Sequence, residues 1–154
     1  MPAPAAPPDL DRDCRDVLTQ CACEALRRSS RAVTARYQEG LSETGVTAAQ
    51  LPILVAAQVM GPAPVGALAA QLLMDRTTLT RNLAGLQDAG FVSIDADVDR
   101  RVRLVALTPA GRRSLRRAIR AWRDAQSRME SRFGAERVRA LVGELGAFAR
   151  AAGR

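Results

Sequence analysis

Apolar residues recur along most of this chain at spacings of three, four and seven, and alternate over only one short stretch. Leu10, Cys14, Val17, Leu18, Cys21, Ala25, Leu26, Val33 and Tyr37 form one such stripe. It predicts an amphipathic helix from Asp9 or Asp11 to about Gly40. Thr47 and Gln50 have capping-box spacing, so a second helix is expected to start there and stop before Gly61-Pro62, with Pro52 in its fifth position bending the first turn. PVGALAAQLL predicts a third, short helix with Val65, Leu68 and Leu72 inward. Asp75 then offers an N-cap for a fourth, RTTLTRNLAGLQDA, closed by Gly90.

After Gly90 the period changes. FVSID and RLVALT have strand length and flank a polar connector, ADVDRRV, which predicts a two-stranded hairpin with an exposed tip. Thr108-Pro109 reads as an N-cap with proline in the first helical position, opening a long helix to about Phe133. A last helix follows from Ala135 to about Ala152. The fold class is therefore mainly α with a small β-hairpin wing. Residues 1–8, rich in Pro and Ala, read as a loose tail, and residues 9–154 as a single domain: a winged helix-turn-helix over about 47–107, with further helices over about 9–40 and 109–152.

Composition adds a partner. The chain has 154 residues, 47% of them hydrophobic, enough for one compact core. The net charge of +7 comes from 23 arginines and no lysine, and makes nucleic acid the first partner to consider. Residues 112–139 hold ten Arg against Asp124, Glu130 and Glu136, the whole of the surplus, whereas residues 75–103 are balanced. MPAPAAPP does not resemble a secretory signal, and no run approaches the roughly 20 apolar residues of a membrane span. A cytoplasmic protein with no membrane partner and three reduced cysteines is expected.

The fourth helix carries the candidate chemistry. At about 100° per residue, Leu79, Leu83 and Leu86 share a core face. Arg76, Thr77, Thr80, Arg81 and Ala84 lie opposite, with Thr78 and Asn82 on the flank. Taken alone this is an ordinary solvated face. With a brace helix before it and a hairpin after it, it becomes an inventory for reading a major groove: arginine to guanine, asparagine to adenine, threonine methyls to thymine. Around the hairpin tip, Arg100, Arg101 and Arg103, oriented by Asp97 and Asp99, suit a narrow minor groove. Asp95, Asp97 and Asp99 taken singly read as a charged, soluble turn.

From the TAAQ-type helix start through PVGALAAQLLMDRTTLTRNLAGLQDAGFV, the charged wing and VALTPAG to the long helix, the chain resembles the MarR family of winged-helix regulators, over about residues 14–150. The specific motifs are T-L-T-R at 78–81, L-x-x-x-G-F-V at 86–92, and D-R-R followed by L-T-x-x-G at 107–111. The family's wing spells D-x-R-D-x-R. Here Asp99 and Arg101 fill the later pair, while Ala96 and Val98 stand at the earlier Asp and Arg, so Arg100 and Arg101 are named together for the minor groove. The resemblance implies a homodimer with interlocked terminal helices, binding a pseudo-palindromic operator as a repressor that an effector releases. Apolar stripes at both chain ends point independently to a second copy, with Trp122, Met129, Phe133, Leu141, Leu145 and Phe148 as contacts or as core of one chain.

No cofactor is required by any of this. The cysteines leave several roles open. On a regular helix Cys21 and Cys23 lie about 200° apart, and Cys14 and Cys21 about 10 Å apart along the axis, so neither pair grips one ion without distortion or a second chain. Given one of these, thiolates would suit As(III), Sb(III) or Cu(I), since the chain has no histidine. Family members with Cys-x-Cys here resemble metalloid or thiol-reactive sensors. Sensing of oxidants, small organic effectors with structural cysteines, and simple packing of Cys14 and Cys21 are the alternatives. An enzyme is disfavoured: there is no histidine, no phosphate-cradling glycine loop and no nucleophile with a base. A winged helix serving only protein interaction is the remaining rival.

Overall fold

The computed structural model describes residues 9–96 and 103–153, and the chain divides into two compact units between Arg36 and Tyr37. The first unit holds helix α1, Leu10–Gln20, and most of α2, Ala22–Leu41. One continuous helix was expected here; instead the backbone turns extended at Cys21 (φ −73°, ψ 111°). Neither glycine nor proline is present to break it. The Thr19 hydroxyl donates to the Arg15 carbonyl at 2.8 Å, a side-chain bond of the kind that bends helices. Cys21 is then both the last donor of α1, to the Val17 carbonyl, and the first acceptor of α2, from the Ala25 N–H. Leu10, Val17, Leu18, Leu26 and Val33 are exposed.

The second unit begins with the last turn of α2, whose Leu41 is buried. A short 3-10 turn, Ser42–Thr44, ends at Gly45 with φ +74°. Buried Thr44 is fully used: its hydroxyl donates to the Leu41 carbonyl at 2.7 Å, and its carbonyl accepts from Ser114 at 2.8 Å. The capping box forms in both directions, Thr47 N–H to Gln50 Oε1 at 3.0 Å and Gln50 N–H to the Thr47 hydroxyl at 3.2 Å. Yet helix α3 runs Leu51–Met60, later than the box alone implies. Pro52 is therefore in the first turn, where its missing donor costs nothing, and the expected bend does not arise.

Helix α4, Val65–Leu72, ends at Leu73, which is left-handed (φ 50°) and 81% exposed. Helix α5, Arg76–Asp88, is followed by Gly90 at φ +69°. The wing strands β2, Val92–Ala96, and β3, Arg103–Leu107, pair antiparallel, with Val92 opposite Leu107 and Ala96 opposite Arg103. A third strand, β1, Ala63–Pro64, adds to the other edge of β3, giving the order β1-β3-β2 in place of the expected two-stranded hairpin. Two residues, one of them proline, carry no alternation from which a strand could be read. Helices α6, Pro109–Phe133, and α7, Ala135–Ala152, complete the chain where expected. The core joins Leu41, Ile53, Leu54, Leu68, Leu79, Leu86 and Val105, with Leu115 and Ala118 of α6 closing it. Among the described residues no helix is long and apolar enough to cross a membrane.

One joint ties α5, the wing and α6 together. The Thr108 N–H donates to the Phe91 carbonyl at 3.1 Å, the Thr108 hydroxyl donates to the Gly90 carbonyl at 2.7 Å, and the same oxygen accepts the Gly111 N–H at 2.9 Å. Gly111 is required: a Cβ built there would stand 1.9 Å from the Phe91 carbonyl oxygen, backbone that cannot swing away. Gly111→Ala should therefore destabilise the protein by at least about 2–3 kcal/mol, although alanine is the better helix former. The check is the urea midpoint; an unchanged midpoint would show that the joint yields.

Candidate nucleic-acid interface

The site is built on α5, and its orientation follows from two local facts. The Asp75 carboxylate accepts the Thr78 N–H at 2.8 Å, starting the helix at Arg76. Leu79, Leu83 and Leu86 are buried, which fixes the rotation of everything opposite. Arg76, Thr77, Thr80, Arg81 and Ala84 are consequently exposed, and Thr78 and Asn82 sit half-buried on the flank, as the helical angle implies. Asn82 is already engaged: its Nδ2 donates to the Thr78 carbonyl at 2.9 Å, so one of its two amide hydrogens serves its own helix.

Helix α4 braces α5, and the sheet stands on its other side. Between them lies a cleft of about 550 Å³, with Arg76, Thr80 and Gln87 of α5 facing Ile94 and Arg103 of the wing strands. Among the described residues no carboxylate lines it. Arg103 thus lines the same cleft as Arg76, 27 positions away in sequence, because β3 pairs with β2. Sequence reasoning passed over Gln87 and Ile94 as lining residues. The signal for Gln87 was present, since positions 80, 84 and 87 share one helical face. Asp97, Asp99, Arg100 and Arg101 lie outside the described residues. Asp95 is exposed.

Farther along, Arg112 donates to the Leu107 carbonyl at 2.8 Å and Arg117 reaches the Thr44 carbonyl at 3.5 Å, so both are drawn into the fold. The three cysteines are free. Cys21 is partly exposed at the break, and Cys14 and Cys23 are exposed, so packing within the chain does not account for Cys14 as its stripe position suggested. Among the described residues no three side chains of Cys, Asp or Glu converge to hold a metal. Trp122, Phe133, Leu141, Leu145 and Phe148 are exposed, and Met129 is half-buried.

The Thr78 backbone N–H, and after it the Thr78 hydroxyl, hold the Asp75 carboxyl below its ordinary value of 3.8. A carboxyl lowered on folding contributes stability above its unfolded pKa and loses it as pH falls through the folded one. Wild type should therefore lose melting temperature more steeply below pH 3.8 than Asp75→Asn, which keeps the Oδ1 acceptor but cannot titrate. Parallel thermal melts between neutral and strongly acidic pH provide the comparison, and identical slopes would remove Asp75 from the balance.

Known proteins share this arrangement. A profile of the MarR family matches residues 44–102. The Mycobacterium tuberculosis transcriptional regulator MosR is 31% identical, with a TM-score of 0.74 over 87% of this chain and 98% of that one. The structure of MosR in complex with DNA gives 34% identity and a TM-score of 0.75, over 86% and 98% of the two chains. The repressor CouR bound to a 23-mer DNA duplex is 22% identical, with a TM-score of 0.78 over 86% and 95%, a likeness of fold. No curated protein sequence matches the chain. The relative at 34% identity is covered almost from end to end, and its fold is the winged helix described above; this chain belongs to the MarR family of winged-helix transcriptional regulators.

Proposed function

We propose that the protein is a cytoplasmic, homodimeric repressor that reads a pseudo-palindromic operator with two copies of α5. The observation that carries this reading is the outward face of α5: guanidinium groups and short hydroxyls, exposed together, with a third arginine lining the same cleft, in which no carboxylate of the described residues stands. Such a face donates to phosphate and to guanine edges without the repulsion an acid would bring. Arg76, Thr77, Thr80 and Arg81 enter the major groove, Thr78 and Asn82 support from the flank, and Arg103 continues the positive rim toward the wing. Asp99, Arg100 and Arg101 make the minor-groove contact. A relative 34% identical has been solved with DNA, which supports the assignment. The exposed apolar residues of α1 and α7, with Trp122 and Phe133, supply the dimer contact.

Arg81→Ala should weaken operator binding by about 1–3 kcal/mol while leaving binding to random duplex nearly unchanged. Gel shifts on the protein's own promoter region, run beside a mixed-sequence duplex, measure both. Equal losses on the two would contradict base reading, and a monomer in sedimentation would contradict the dimer.

The effector we assign is a soft thiophilic species, As(III), Sb(III) or Cu(I), held by Cys21 and Cys23 with a thiolate of the second chain completing the set. The break at Cys21 supports this, because the fixed 200° separation of a regular helix does not apply across an extended residue. Release then needs only that the effector bind the DNA-free form more tightly. A second reading, oxidation of the same exposed thiols, rests on the same exposure. Titration of the reduced dimer on DNA with As(III), Cu(I) and peroxide separates them, with Cys21→Ser and Cys23→Ser expected to abolish the response. A response that survives both substitutions points to an organic effector bound elsewhere.

A further inference from the structure

Helix α6 carries its charge against the preference of its own backbone. Its first turn contains no acid and its first residues include Arg112 and Arg113, at the end where the helix dipole favours anions. Arg113, Arg116, Arg120 and Arg123 then follow at spacings of three and four, each the neighbour of the next, so the like charges repel along the helix. All four are exposed. No carboxylate of the described residues stands within ion-pair distance of any of them, in contrast to Arg31, which pairs with Glu24. Arg112 and Arg117 are turned to backbone carbonyls, which leaves these four as one face about 15 Å long at 1.5 Å per residue.

From this concentration of like charge, which Asp124 four residues beyond Arg120 offsets only in part, we infer that the outer face of α6 is a second, sequence-independent seat for DNA phosphates, distinct from the α5 surface. The inference rests on the DNA-binding reading above. Duplex DNA presents one negative charge per about 1.7 Å of axis, and planar guanidinium groups match phosphate oxygens in pairs. Five residues of strand on each side separate the start of α6 from the outer end of the described wing, roughly 17 Å at 3.3 Å per residue. The start of α6 lies behind the wing's outer end by that length, and the phosphates assigned to its face are those of DNA beyond the operator.

The test uses the full-length dimer and the combined variant Arg113→Gln, Arg116→Gln, Arg120→Gln, Arg123→Gln. On a promoter duplex of about 20 base pairs, wild type and variant should show the same salt dependence. On one of about 60 base pairs the variant's log–log slope should be smaller by roughly two to four, near 0.9 per lost phosphate contact. The same four positions changed to Lys should restore the long-duplex slope. Removing the repulsion should leave the melting temperature of the Gln variant equal or higher; should it not fold, Arg116→Gln and Arg120→Gln singly are each expected to lower the slope by about 0.9. Equal slopes for wild type and variants on the long duplex would overturn the inference alone. Failure of wild type to bind either duplex would instead overturn the DNA-binding reading.

Discussion

The Thr108 hydroxyl holds three segments at one point. It gives its proton to the Gly90 carbonyl at the end of the α5 turn and accepts the Gly111 N–H in the first turn of α6, while the Thr108 backbone N–H closes on the Phe91 carbonyl. Because Phe91 leads directly into β2 and Leu107 ends β3, the angle at which the wing leaves α5 is decided here and not at the distant tip. The absence of a side chain at Gly111 lets α6 approach the Phe91 carbonyl, which no larger residue would allow. The L-T-x-x-G motif is in this sense a mechanical joint, from which the wing and α6 take their direction relative to α5.

The polar interior serves the same end. Thr44 and Ser114 are the buried polar residues among the hydrophobic core, and each has a partner, so the turn after α2 is locked to α6 without an unmet hydrogen bond. Nearer the middle of α6, the Tyr37 hydroxyl donates to Gln126, whose amide donates to Glu130 at 2.9 Å. Burial first, and the Glu130 charge second, push the Tyr37 phenol above its ordinary range, keeping it a proton donor. Charge is distributed on a different principle: the recognition surface is mixed and balanced in sequence, and the surplus is concentrated on the helix behind it.

How much was legible in the sequence follows the range of the interactions. Asp75, Gly90 and Thr108-Pro109 announce caps within three residues of themselves, and α5 and α6 lie where those signals put them. Leucines at 79, 83 and 86 reveal the rotation of α5 because burial follows helical period. Strand β1 was illegible, since its only reason for being a strand is Val105, some forty residues on. The break at Cys21 was also hidden, because a threonine bonding back to its own helix leaves no mark in a hydrophobic pattern. The engagement of Asn82 by the Thr78 carbonyl shows the same limit: position on a face is readable, but whether a side chain is already occupied is not. Arg103 could be placed near the wing, yet its sharing of a cleft with Arg76 needed the strand register.

Leu73 carries a last consequence. A leucine in left-handed backbone, turned out to water, contributes neither packing nor a relaxed conformation, at a cost of about 1–2 kcal/mol relative to the right-handed form. The corner between brace and recognition helices is thus the least committed point of the lobe. Its side chain is free to drift toward asparagine or glycine without disturbing a single core contact, so sequence change there can retune what the corner presents to a duplex while the scaffold beneath stays as it is.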